Sequence, residues 1–192
     1  MIKIDTDVDI DLADRDQLLK LLKHVPAAQI KNDQITRHNT GVYFTDVPVD
    51  TIKGICSLDY KEAEERGYFK VDLLNVSVYQ NVKSRDHLDQ LLNTVPPWYR
   101  LWTDPEFTSR VVHIGNYYNL LCQMKPDSIT RMAMFLAIIR PGKKHLIGKS
   151  WKEIAETVWI KPTDDSYFFK KAHSVGYAKL VQVHMNLLQA AD

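Results

Sequence analysis

Acidic and apolar residues alternate strictly near the start of the chain, in the stretch DTDVDIDL. A period of two residues is typical of a β-strand, whose successive side chains point to opposite faces of the sheet. The pattern therefore predicts a strand with an apolar face that packs on a core and an opposite acidic face. The apolar face comprises Ile4, Val8, Ile10 and Leu12, and the acidic face comprises Asp5, Asp7, Asp9 and Asp11.

Carboxylates on one face of a strand repel one another, because side chains two residues apart are separated by only roughly 6–7 Å. Such a face requires wide solvation or balancing cations. Two interpretations are open at this point. The strand is either an exposed one with an acidic outer face or part of a divalent-metal site made of carboxylate oxygens.

The composition is that of an ordinary globular protein, with 192 residues of which 45% are hydrophobic. No apolar run is long enough to span a bilayer, and the acidic N-terminus is unlike a signal peptide. We therefore expect a cytoplasmic protein with no membrane partner. Cys56 and Cys122 are expected to be reduced thiols, because two cysteines provide neither a disulfide framework nor a zinc site.

Hydrophobic spacing and turn residues predict a small sheet followed mainly by helices. Predicted strands lie around 41–45 and 68–76, with a further apolar stretch at 52–58. Predicted helices lie around 15–24, 59–67, 86–93, 105–121, 128–139, 149–159 and 166–189. The result is an α+β fold, with a small mixed-sheet portion over 1–95 and a helical portion over 96–192.

For two of these elements, the sequence also predicts which side chains share a face. The first helix is capped by Asp14, and its predicted buried side comprises Leu18, Leu19, Leu21 and Leu22. The strand YFKVDLLNV alternates again, with Phe69, Val71 and Leu73 on one face and Lys70 and Asp72 on the other.

Two carboxylates two residues apart on one strand, with a third on a neighbouring strand, form the arrangement that a two-metal phosphoryl-transfer site requires. One ion activates the attacking hydroxyl, and the other holds the oxygens of the leaving phosphate. A lysine beside the third carboxylate can neutralise phosphate charge. On spacing alone this arrangement is suggestive and not specific.

Five segments of the sequence favour the two-metal interpretation. They are DVDIDLADRDQL, RHNTGVYF, SLDYKEAEERGYFKVDLL, LCQMKPDSITRMAMFLAIIRPG and YFFKKAHSVGYAKL. They resemble, in the same order, blocks of the C-family DNA polymerases, the alpha subunits of bacterial DNA polymerase III. The resemblance implies a palm of the polymerase-beta-like nucleotidyltransferase type with part of the fingers. It also implies two Mg²⁺ ions, with Mn²⁺ as the alternative, and primer–template DNA and dNTPs as partners.

The resemblance implies a role for each matching residue. The metal-binding and catalytic aspartates would be Asp7, Asp9 and Asp72, while Asp11 matches an acidic residue that is not usually a ligand. Nucleotide or phosphate contacts would come from Lys70, Arg140, Lys171 and His173. His38 matches a histidine for which we expect a structural role.

The departures from the family are large, since its members are several times longer. A Gly-Ser motif that holds the triphosphate upstream of the acidic strand is not matched in these residues, and segment 143–167 is too short for the family's fingers. A second polymerase polypeptide or a host replication protein is one possible source of these parts. The compact size favours a phage or other mobile-element version, which would act in the host cytoplasm.

Three functions follow from these patterns. The first is a reduced polymerase that adds nucleotides to a primer end, either alone or as one part of a split enzyme. The second is a catalytically inactive protein, derived from a polymerase, that binds host replication proteins or nucleic acid. The third is a two-metal nuclease, since such sites serve hydrolysis as readily as transfer.

Several of the same residues also have purely structural interpretations. Lys70 and Asp72 can form a simple ion pair, Arg140 can cap a helix C-terminus, and His173 can be a satisfied helix residue. An aromatic cluster could stack on bases or belong to the core, and it comprises Trp98, Tyr99 and Trp102.

Overall fold

The computed structural model describes residues 8–164 and 166–192. It is mixed α+β, with a small four-stranded sheet and many helices, which confirms the predicted fold class. The chain divides into two compact units between Asn81 and Val82. The sequence patterns placed this boundary later, between residues 95 and 96.

A mixed sheet forms the centre of the first unit, with the strand order β1-β6-β3-β2. Its strands are β1 (Val8–Leu12), β2 (Val25–Lys31), β3 (Gln34–Tyr43) and β6 (Val71–Asn75). Strand β1 runs parallel to β6, whereas the β6–β3 and β3–β2 pairs are antiparallel. A separate two-stranded sheet pairs β4 (Val49–Asp50) with β5 (Ile55–Cys56).

Both helices of the first unit begin at an aspartate cap. Helix α1 (Arg15–Leu21) follows Asp14, whose carboxylate accepts the backbone N–H groups of the first turn, as predicted. Helix α2 (Tyr60–Glu65) follows Asp59 in the same way. The turn after α2 contains Gly67 at φ 86°, a conformation that favours glycine. A 3-10 helix, Ser77–Asn81, follows β6.

The predicted burial of the first strand and helix is partly wrong. Val8 and Ile10 lie 38% and 41% exposed, because β1 is an edge strand and α1 is only seven residues long. Leu21 is 81% exposed and Leu22 is 43% exposed, since the helix ends at Leu21 instead of continuing to residue 24. The cluster that α1 does cover comprises Leu19, Val42, Val71 and Leu73, with Leu12 and Leu18 packed against it.

The β2–β3 hairpin was not predicted in full. Asn32 and Asp33 form its two-residue loop at φ 51° and 57°, which is the conformation of a type I′ turn. Only the end of β3 was predicted as a strand, and β2 was not predicted at all. Pro26 argues locally against strand structure in β2, because proline cannot donate to the ladder. Pro26 lies in the outermost strand, β2, close to a bulge in the pairing, where proline is tolerated.

Helices dominate the second unit. They are α3 (Arg85–Asn93), α4 (Arg100–Thr103), α5 (Pro105–Arg110), α6 (Tyr118–Met124), α7 (Ile129–Ile138), α8 (Trp151–Thr157) and α9 (Lys171–Ala191). Helix α7 is central, with every side chain from Met132 to Ile138 buried. Helix α3 belongs to this unit because Gln182 and Asn186 of α9 donate hydrogen bonds to the backbone at its C-terminal end.

The predicted helix over 105–121 is interrupted. The chain leaves α5 after Arg110, and His113 takes up the left-handed conformation at φ 66°. A 3-10 turn then starts at Gly115, where a Cβ atom would lie 2.6 Å from the Ser109 carbonyl oxygen. Likewise, α9 begins at Lys171 and not near residue 166. Within the described residues, no helix has the length and apolar character needed to cross a membrane.

Candidate functional site

Two of the predicted metal-binding aspartates lie side by side. Asp9 on β1 and Asp72 on β6 are partners in register on neighbouring parallel strands. Partners in register project from the same face of a sheet, about 4.8 Å apart. Asp11 shares that face because it lies two residues after Asp9. The third predicted ligand, Asp7, lies outside the described residues.

Three side chains surround the carboxylate of Asp72. Lys70 forms an ion pair with Oδ2, and the hydroxyl of Thr40 donates to Oδ1 over 2.7 Å. Nδ1 of His38 lies 3.7 Å from the same Oδ1. Because an ionised carboxylate has about four lone-pair sites, each oxygen of Asp72 keeps capacity for a further ligand.

These contacts favour the ionised form of Asp72. Partial burial by itself would raise the pKa of this carboxyl group. The hydrogen bonds from Lys70 and Thr40, together with the charge of Lys70, outweigh the burial and lower the pKa. Asp72 is therefore ionised at neutral pH, as a metal ligand must be.

His38 supports the backbone of β3. Its Nδ1 accepts the backbone N–H groups of Gly41 at 2.9 Å and of Thr40 at 3.3 Å, so the proton of the neutral ring is on Nε2. Burial lowers the pKa of His38, and the charge of Lys70 lowers it further. The ring also packs edge-to-face on Tyr60, with centroids 5.3 Å apart. This geometry fits the structural role that we expected for His38.

Gly41 makes room for Lys70. It pairs with Asp72 across the β3–β6 ladder, on the same face of the sheet. A Cβ atom at this position would lie 2.7 Å from Cδ of Lys70 and 3.0 Å from Nδ1 of His38. The lysine stem therefore crosses the sheet directly over the glycine. Sequence reasoning gave no role to Thr40 or Gly41, because their approach to Asp72 and Lys70 depends on how β3 pairs with β6.

Negative charge accumulates further along β1. Burial raises the pKa of Asp11, and the nearby charge of Asp9 raises it further. Burial and then the charge of Asp11 raise the pKa of Tyr79 in the same way. Among residues 8–164 and 166–192, no group of three or more His, Cys, Asp or Glu side chains is arranged to hold a metal ion.

The remaining predicted site residues lie in the second unit. The guanidinium carbon of Arg140 lies 4.0 Å from the ring centroid of Phe169, and its buried Nε has no hydrogen-bond partner among the described residues. Lys171 is the exposed first residue of α9, and His173 is half-buried on the same helix. Burial lowers the pKa of His113, with a further contribution from the charge of Arg140.

Most of the aromatic cluster belongs to the core of the second unit. Trp98 is 9% exposed, and Trp102 packs against the same core. Tyr99 is 60% exposed.

Comparisons with protein-family models, with curated proteins and with solved structures found no match to this chain.

Proposed function

We propose that the chain is a metal-dependent nucleotidyltransferase of the DNA polymerase III alpha type, which adds deoxynucleotides to a primer end. The observation that carries the proposal is the register of Asp9 with Asp72 on neighbouring parallel strands. Two carboxylates on one face at this spacing can reach a common divalent cation. The resemblance to the polymerase blocks supplies the reaction.

The residues of the first unit fit a divalent cation. Asp9 is exposed, Asp72 is held ionised, and both are hard oxygen ligands of the kind that Mg²⁺ prefers. Asp7, two residues before Asp9, would complete the set. A bound Mg²⁺ pair would activate the primer hydroxyl and stabilise the leaving phosphate.

The surrounding side chains have separate tasks in this proposal. Thr40 orients the carboxylate of Asp72 through its hydrogen bond to Oδ1. His38 holds the β3 backbone beside it. Lys70 offers positive charge to the phosphates of the nucleotide.

Primer extension tests the proposal. A labelled primer–template is incubated with the purified chain, dNTPs and Mg²⁺ or Mn²⁺. We expect extension by the wild-type chain and none by the Asp9→Asn/Asp72→Asn double variant. Asp46→Asn is the matched control, because Asp46 is an exposed aspartate of the same unit. Absence of extension with either metal would contradict the proposal, and shortening of the primer would identify a nuclease.

A second candidate function is a non-catalytic protein that binds replication proteins or nucleic acid. It is favoured by the contacts of Asp72, whose two oxygens already accept hydrogen bonds from Lys70 and Thr40. This function predicts that the primer keeps its length with every metal. It also predicts that the double variant binds its partner as well as the wild type does.

A further inference from the structure

We infer that Lys70 is the internal counter-ion of the carboxylate site, which neutralises Asp72 when no metal is bound and is displaced when a divalent cation binds Asp9 and Asp72. The inference rests on the proposed function. It assigns to Lys70 a task beyond the phosphate contact, namely control of cation binding at the same site.

The first argument is the position of the ammonium group. Nζ of Lys70 forms its ion pair with Oδ2 of Asp72, and the two side chains are only 18% and 13% exposed. A divalent cation on the same carboxylate would repel the ammonium, and the repulsion is stronger at a partly buried site than in water. The two cations therefore compete for Asp72.

The second argument is that Lys70 can leave without disrupting the sheet. Lys70 precedes the first residue of β6, Val71, so its backbone lies outside the strand. Its flexible four-carbon stem lies over Gly41, a residue that has no side chain of its own. The ring of Tyr60, with its centroid 5.8 Å from Nζ, offers the ammonium a second favourable contact.

The consequence is a coupling between cation and anion binding. An ammonium displaced from Asp72 stays near the bound cation, where it can pair with an anionic phosphate. Each ligand then favours the other, because the cation releases Lys70 and the phosphate keeps it away from Asp72. In the absence of phosphate, Lys70 weakens cation binding.

A Mn²⁺ titration, followed by electron paramagnetic resonance, tests the inference. Lys70→Met removes the competing charge and keeps the aliphatic stem, and we expect Mn²⁺ to bind about five- to tenfold more tightly. Lys61→Met is the matched control, since Lys61 is exposed and its Nζ lies 5.9 Å from the same Tyr60 ring. It removes one positive charge without touching Asp72, and we expect about a twofold effect or less. Equal or weaker binding by Lys70→Met than by Lys61→Met would overturn the inference.

A second variant and a second measurement cover the case in which Lys70→Met does not fold. Lys70→Arg keeps a positive charge beside Asp72, so Mn²⁺ binding should not become tighter. In the wild-type chain, the ¹⁵N resonance of the Lys70 ammonium should move towards that of a solvated lysine as Mg²⁺ is added. A resonance that stays unchanged at saturating Mg²⁺ would contradict displacement.

The titrations also separate this inference from the proposed function. If Mn²⁺ binds the wild type and Lys70→Met equally well, only the role of Lys70 is wrong. If it binds neither folded protein, the metal site itself is wrong, and the inference falls with it. Binding that appears only in Lys70→Met would support the inference in its strongest form.

Discussion

Thr40 and Asp72 are joined across two antiparallel strands by a hydrogen bond of 2.7 Å from the threonine hydroxyl to Oδ1. Lys70 holds the other oxygen of the same carboxylate. The two donors act differently on a cation site, because a neutral hydroxyl orients the carboxylate whereas an ammonium competes for its charge. Substitutions at the two positions should therefore change cation affinity in opposite directions.

Thr40→Val should weaken Mn²⁺ binding by about tenfold, the loss typical of a group that orients a metal ligand. The isosteric valine keeps the shape but removes the hydroxyl donor. Thr40→Ser should restore most of the affinity, because it returns the donor. The same titration measures all three proteins, and wild-type affinity in Thr40→Val would contradict the positioning role.

Gly41→Ala should lower the free energy of unfolding of the first unit by about 1–3 kcal/mol, because the new Cβ overlaps the Lys70 stem. Gly176→Ala in α9 should instead raise stability by about 0.5–1 kcal/mol, since nothing lies within 4 Å of its Cβ position. Urea unfolding followed by circular dichroism measures both changes. A neutral Gly41→Ala would show that Lys70 moves aside without cost.

Asp33→Gly should stabilise the β2–β3 hairpin by about 0.5–1 kcal/mol, because glycine adopts a positive φ without strain. Asp33 is at φ 57° in the two-residue loop. Asp46→Gly is the control, since Asp46 is exposed and is not among the residues with positive φ. Chemical denaturation should separate the two variants, with the control slightly destabilised by the added flexibility of the unfolded chain. Equal destabilisation by both would contradict the turn geometry.

Acid should destabilise the first unit through Asp72 and His38. Because the pKa of Asp72 is lowered from 3.8, its stabilising contribution is complete above that ordinary value and disappears as the pH falls through the lower folded-state pKa. The pKa of His38 is lowered from 6.5, so the unfolded chain binds its proton more readily and stability decreases as the pH falls below 6.5.

The free energy of unfolding, measured at intervals between about pH 7.5 and pH 3, tests this effect, because that range covers both ordinary pKa values. His113 and His184 also have lowered pKa values, so the wild-type curve alone does not isolate His38. His38→Gln should make the loss of stability near pH 6 smaller than in the wild type. Asp72→Asn should make the loss smaller near pH 4 and below. Parallel curves for the wild type and His38→Gln would rule out a contribution from His38.

Short-range patterns predicted the elements whose causes lie within a few residues. The cap at Asp14 and the alternation of Lys70 with Val71 and Asp72 both appear in the structure. Each depends on backbone groups or side chains only two or three residues away, so the sequence by itself determined them.

The tertiary structure decided which of the predicted elements pair and which of their residues become neighbours. Alternation in β1 predicts two faces, but only the position of β1 at the sheet edge leaves Val8 and Ile10 exposed. The register that sets Asp9 beside Asp72, and the approach of Thr40 to the same carboxylate, join segments more than thirty residues apart. Strand register follows from which segments pair and what covers them, and that information is spread over the whole unit.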